Sequence, residues 1–206
     1  MNIKPIIFLS VLLISWGVHA HQTHLSSTTL VEQGKNNWAL QVRAALTAFE
    51  YEVERNFGDS AYSTPEEFKN LTLTIVQDNL LILLNNTDTI GLKNGTVTLG
   101  HETSVTFQLT TPLTKINYLT IQNSCFNTIA RNKNLLFILK EGYPKSQFTL
   151  SDENSQTIHL KAIDNDFVVL EPTISSFSML TWIAFVAVIA IIAIAVSLFR
   201  TKKKVS

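Results

Sequence analysis

Four histidines, His21, His24, His101 and His159, are the residues of this chain best suited to holding a metal. Processing gives the first of them a special standing. Val18-His19-Ala20 carries small residues at the two positions a signal peptidase reads, so cleavage is expected after Ala20. His21 would then offer an α-amine beside its ring nitrogen, a chelating pair. An α-amine titrates at roughly 7.7–8, so its neutral form is accessible near neutrality. Such a nitrogen-rich site suits Cu(II) best, with Ni(II) the other candidate. A third ligand would come from His24, His101 or His159. Residues 21 and 24 point to opposite faces of a regular strand, so both can bind only where the chain is not yet extended. The competing reading makes His21 a tolerated first residue and the other three ordinary polar side chains of strands and surface.

Other chemistry finds little support. His101-Glu102 lacks a second histidine four residues on, so the zinc-protease helix pattern fails. The sequence holds no G-x-S-x-G elbow, no phosphate loop and no paired C-x-x-C. Glu50 and Glu54 share a helix face, a spacing expected on a solvated surface rather than in an acid–base pair. Cys125, the sole cysteine, lies between Ser124 and Phe126 and is expected to be a small buried apolar side chain. A triad scattered along the chain is defined by geometry, and spacing leaves that open. The expectation is a non-enzymatic protein.

The elements that must position these residues read as α+β. Leu25–Glu32 is expected to be a first strand. After a turn at 34–37, Trp38–Ala44 puts Trp38, Leu40, Val42 and Ala44 on one face and Gln41 and Arg43 on the other. Thr47 sits three before Glu50, a capping-box spacing, and opens a helix with Phe49, Val53 and Phe57 in register until Gly58. Thr64-Pro65-Glu66-Glu67 opens a second, with Phe68, Leu71, Ile75 and Val76 on one face as far as about Asn79. From Leu80 the pattern is β. Ile90–Leu99 predicts a hairpin turning at Asn94-Gly95. Strands follow at 105–109, 116–121, 135–139, 148–150, 157–161 and 167–170. The whole predicts a mainly antiparallel sheet or sandwich with one or two helices inserted after the second strand.

The two ends are not fold material. A basic start and the apolar run Pro5–Gly17 make residues 1–20 a secretory signal. Met179–Phe199 has 21 residues without a charge, proline or glycine. As a helix it is roughly 31 Å long, which matches the hydrocarbon core of a bilayer. Trp182 suits an interfacial anchor, and Arg200, Lys202, Lys203 and Lys204 follow at once. The expected organisation is a signal peptide at 1–20, an extracytoplasmic domain at 21–172, a tether at 173–178, a transmembrane helix at 179–199 and a cytoplasmic basic tail at 200–206. Positive charge stays inside, so the domain faces the periplasm or the exterior of a single-pass cell-membrane protein.

The formal net charge of zero hides an asymmetry. All 16 acidic residues but only 11 of the 16 basic ones lie in the exported part, a net −5 there. That balance argues against nucleic acid and anionic headgroups as partners. A domain of this size can bury a core without disulfides, and the lack of cystines tilts toward a bacterial envelope protein.

Two resemblances follow from these stretches. HQTHLSSTTL, residues 21–30, resembles the mature start of periplasmic copper-binding sandwich proteins of the copper-resistance type. That resemblance implies a copper ligand at His21 alone. The layout His21–His24, Leu40–Phe57, Leu71–Leu99 and Leu119–Phe126 through Asn134–Ile138 is similar to a family of uncharacterised bacterial envelope domains. It is also similar to the exported domain of nickel/cobalt permeases associated with hydrogenase and urease maturation. These resemblances imply a small exported domain near a membrane. The functional expectation is a membrane-tethered binding or assembly module, held in the lipid bilayer by 179–199, with an envelope transporter or other membrane protein as its candidate partner. The alternative is metal binding or delivery through His21.

Overall fold

The computed structural model describes residues 25–34 and 37–170, together with Ile183, Val188 and Ile189. The expected signal peptide, His21, His24, the expected tether and tail, and the rest of the expected span lie outside the described residues. Residues 1–170 form one compact unit and 171–206 a second. Of the second, Ile183, Val188 and Ile189 are helical and more than half exposed. Among the described residues no helix is long and apolar enough to cross a membrane.

Among its described residues the first unit is α+β, with two mostly antiparallel sheets and two helices. β1 (Leu25–Glu32) and β2 (Trp38–Ala45) form a hairpin, and α1 (Leu46–Phe57) and α2 (Pro65–Asp78) follow. Next come β3 (Leu80–Leu84), β4 (Asp88–Thr89), β5 (Leu92–Thr98), β6 (Glu102–Leu109), β7 (Tyr118–Asn123), β8 (Lys133–Leu139) and β9 (Ser146–Leu150). A 3-10 turn at Asp152–Asn154 leads to β10 (Thr157–Ile163) and β11 (Asp166–Val169). The first sheet runs β5-β6-β2-β1-β8-β9 and the second β11-β10-β7-β3-β4. One pairing, β1 with β8, is parallel.

Period-two alternation builds the core. Leu40 and Val42 on β2, Val105 and Phe107 on β6, and Leu136 and Ile138 on β8 are buried on the inner face of the first sheet. Ile82, Leu119, Ile121, Ile158 and Leu160 answer from the second. The helices complete the cover with Phe49 and Val53 of α1 and Phe68, Ile75 and Val76 of α2. Phe49 meets Phe126 edge to face at 5.0 Å.

The expected box at Thr64 opens α2: the Glu67 N–H donates to Thr64 Oγ1 at 3.2 Å, and Glu67 Oε2 accepts from the Thr64 N–H at 3.0 Å. At α1 the structure corrects the expectation. Thr47 is not the cap; Ala45 is, and it supplies no side-chain bond. β2 runs straight into the helix because the Leu46 N–H donates to His101 O at 3.1 Å, satisfying one of the helix's unpaired donors from a neighbouring turn. Phe57 is exposed rather than part of the buried stripe.

A second correction concerns Asn94-Gly95. The pair does not turn a hairpin; it lies inside β5 as a bulge, where pairing with β6 slips between Lys93↔Gln108 and Thr96↔Thr106. The reason is packing. A Cβ on Gly95 would sit 2.5 Å from Phe107 Cε1 and 2.7 Å from Leu73 Cδ2, so glycine is needed for close approach while the strand continues. Asn94 takes the left-handed backbone, φ +52°, that the bulge requires.

Strand directions fix the two ends of the unit. The 151–156 connection joins β9 to β10, and Asn123 Nδ2 donates to Thr28 Oγ1 at 2.7 Å, which brings the same ends of the two sheets into line. β1 therefore starts, and β11 finishes, at one end, together with the starts of β6 and β8. The far end holds the β1–β2 turn, the start of β5 and the end of β6.

Candidate functional site

The structure separates the two described histidines. His101 is exposed in the turn entering β6 of the first sheet. His159 is exposed on the outer face of β10 in the second, with Nδ1 hydrogen-bonded to Thr120 Oγ1 at 2.8 Å. Among the described residues no three His, Cys, Asp or Glu side chains gather in a group able to hold a metal. Glu50 and Glu54 lie on the outward side of α1, while Cys125 is fully buried. Burial, reinforced by the nearby Glu52 carboxylate, pushes the Cys125 thiol well above its ordinary range.

Two polar clusters occupy the interior. Between the sheets, Asn134 Nδ2 donates to Ser26 Oγ at 2.8 Å and Thr28 Oγ1 donates to Asn134 Oδ1 at 2.8 Å. Asn123 continues the chain, donating to Thr28 and accepting the Cys125 N–H at 3.0 Å. All of these side chains are buried and all are paired, so the cluster locks β1, β7 and β8 together. The second cluster centres on Glu52, 1 % exposed on α1. Its oxygens accept from Arg55 Nε at 3.1 Å and Nη2 at 2.9 Å, and from Thr128 Oγ1. With those acceptors used, Glu52 ties α1 to the 124–132 loop and has the chemistry of a tie.

The far end of the first sheet is different, because there polar groups converge on open space. A cleft of about 310 Å3 is lined by Gln33, Asn37, Trp38, Lys93, Gln108 and Leu109. Four pieces of local structure build it. Gly34, at φ +80°, lets the chain turn, and Asn37 O accepts the Gln33 N–H at 2.8 Å, closing the β1–β2 turn. Trp38 opens β2 and is 3 % exposed, yet its Nε1–H has no hydrogen-bond acceptor among the described residues. The β5 bulge turns Asn94 so that its Nδ2 donates to Gln108 Oε1 at 2.8 Å. Gln108 is thereby held by its oxygen, and its NH2 group is the part left to donate. Lys93, paired across the sheet with Gln108, brings a positive charge, and no carboxylate lines the cleft.

The wall behind Trp38 is well made. Lys140 Nζ lies 5.8 Å from the Trp38 ring centre and 5.1 Å from that of Tyr143, while pairing with Glu32 Oε2 at 3.2 Å. Glu32 also accepts the Glu141 N–H at 3.1 Å. Its carboxylate is thus spent beside the cleft. Sequence reasoning put Trp38 on the buried face of β2 but missed the cleft, since Gln33, Lys93 and Gln108 lie on three different strands or turns. The missed signal was Asn94-Gly95 itself, which fits a bulge as readily as a turn.

Compared with known protein-family models and with curated proteins, the chain matches none.

Proposed function

We propose that this protein is a non-enzymatic, single-pass envelope module that holds its domain at a membrane and binds a small ligand in the Trp38 cleft. One observation carries the reading: at the end of the fold opposite Leu170, the exposed polar groups of Gln33, Asn37, Lys93 and Gln108 surround a cleft of about 310 Å3 walled by Trp38 and Leu109. A concave site of this size with a few convergent polar groups and one positive charge is where a small ligand is expected. Supporting it, β11 runs out at the end where β1 starts, opposite the end that carries the cleft. The apolar 179–199 stretch and its basic tail support the anchor. An envelope transporter or other membrane protein would be the neighbour that supplies or receives the ligand.

The test is thermal melting of the full chain in detergent micelles with a small-molecule extract of bacterial envelopes. The reading expects the extract to raise the melting temperature of the wild-type protein and not of the Gln108→Leu variant. No rise in either, or an equal rise in both, would remove the cleft as the working site.

A second reading has its own observation. Residues 21–24 precede β1, which starts at the same end of the first sheet as the His101 turn, two strands away across β2. Neighbouring strands lie about 4.8 Å apart, so the start of β1 and the His101 turn are separated by on the order of 10 Å. Copper or nickel held by the His21 amine and ring with His101 is the form this reading takes, and His159 is not part of it. Cu(II) and Ni(II) titrations of protein cleaved after Ala20, with and without one extra leading residue, decide it. Tight binding lost on extension supports the site; equal weak binding removes it.

A further inference from the structure

The last strand of the first unit carries a surface that the cleft does not explain. Period two normally hides one side of a strand, yet Val168, Val169 and Leu170 are 45 %, 44 % and 39 % exposed in succession. They stand on the open edge of the second sheet. Apolar side chains on both sides of an edge strand call for a cover. A strand from a second copy is a poor one. The Leu170 N–H donates to His159 O, so by alternation residues 168 and 170 turn their backbone toward β10 and residues 167 and 169 turn theirs outward. The outward Phe167 N–H already donates to Asp166 Oδ1 at 2.7 Å, which removes a donor from the edge. The rows behind the edge point elsewhere. Tyr118, Lys161 and Val168 stand side by side across β7, β10 and β11, with Lys161 Nζ 5.9 Å from the Tyr118 ring centre. The next row sets Thr120 and His159 beside Leu170. The exported part has a net charge of −5, yet these two rows hold no carboxylate, and the acidic turn at 164–166 lies at the other end of β11. Aliphatic groups at the edge, with a lysine and a tyrosine just behind, follow the order met on passing from acyl chains to headgroups.

We infer that this edge lies on the lipid bilayer, with Val168, Val169 and Leu170 at the boundary of headgroups and acyl chains and Lys161 at the level of the phosphates. The inference rests on the anchored reading above and names the face that the anchor would hold to the lipid. Chain length brings the two within reach. Eight residues, 171–178, separate Leu170 from the apolar 179–199 stretch, so Leu170 and Met179 are at most about 32 Å apart. A tether that short keeps the edge at high effective concentration over the lipid. Side chains too few to bind a membrane by themselves then suffice to hold the contact. Edge-on contact also accounts for apolar residues on both faces of β11, since each face flanks the edge that meets the lipid. At the headgroup level water remains, so the backbone groups of the open edge stay solvated.

The test places a nitroxide label on single cysteines of the full chain in phosphatidylcholine nanodiscs. Cys125 is buried and stays in place, with the unsubstituted protein as the labelling blank. The labelled positions are Val168→Cys, Leu170→Cys, Thr149→Cys as an exposed control on β9, and Val188→Cys as the check on the anchor. Collisions with oxygen, which concentrates in lipid, and with a nickel chelate, which stays in water, locate each label. The inference expects the oxygen-to-nickel ratio at 168 and 170 to be several-fold above that at 149. Adding Val169→Asp to the Val168→Cys protein should return its ratio to the control value. Ratios at 168 and 170 equal to that at 149, or a raised ratio that Val169→Asp leaves unmoved, would overturn it. If 188 reads as lipid while 168 and 170 match the control, the anchor stands and only the docked edge falls. If 188 reads as water, the anchored reading fails and the inference goes with it. A label at 168 shielded from both reagents and broadened by a neighbouring spin would mean that a second copy covers the edge, which also overturns it.

Discussion

Asn94 Nδ2 donates to Gln108 Oε1 at 2.8 Å across a bulge that exists because residue 95 has no Cβ. Gly95→Ala therefore tests fold and site together. The added methyl would fall against Phe107 and Leu73, and overpacking of this kind costs about 1–3 kcal/mol. Chemical denaturation should show that loss. The gentler Asn94→Ala should leave stability within about 1 kcal/mol, the scale of one exposed hydrogen bond, while weakening ligand response at the cleft.

Thr72 on α2 is fully buried, and its hydroxyl has no partner among the described residues. Thr72→Val keeps the shape and removes the unpaired polar atom. The expected result is a gain of about 1 kcal/mol in urea unfolding. A loss of that size would mean the hydroxyl is bonded after all.

Glu67 holds its carboxylate below the usual glutamate range because the Ser63 N–H, at 2.7 Å, and then the Thr64 N–H bind the charged form. A depressed folded pKa gives stability that is present above the unfolded value and lost as pH falls through the folded one. Wild type should exceed Glu67→Gln at pH 7, and the gap should close as pH drops below about 4.3, the ordinary value. A gap constant from pH 7 to pH 2 would show that the carboxylate's charge plays no part in the cap.

Cys125 is buried with its thiol pushed up by desolvation. A thiol-reactive disulfide reagent at pH 8 should label it only as fast as the unit unfolds, with urea raising the rate steeply. Rapid labelling of the native protein would contradict the packing around Phe126.

Much of the fold was legible because it rests on period. The two-residue alternation of β2 and the Thr64-Pro65-Glu66-Glu67 start stand in the structure where the residues put them. What was not legible depends on residues distant in sequence. The parallel β1–β8 pairing joins residues more than 100 apart, and its inward face carries Ser26 and Thr28, polar residues that satisfy one another only through Asn134 and Asn123. Thr47 lost the cap because a backbone carbonyl from His101 reached Leu46 first. Glu52 could have been found: it stands three after Phe49 and beside Val53, on the stripe that α1 buries. His21 and His24 precede the described residues, so their placement is untouched by these comparisons.

The most direct measurement is hydrogen exchange of the full chain in lipid nanodiscs, with and without the envelope extract. Slowed exchange at residues 33–38, 92–95 and 106–109, with little change elsewhere, is the result expected of a ligand held in the Trp38 cleft. Slowing at 101–103 instead, or no slowing in any segment of the 25–170 unit, would contradict a binding module that works through that cleft.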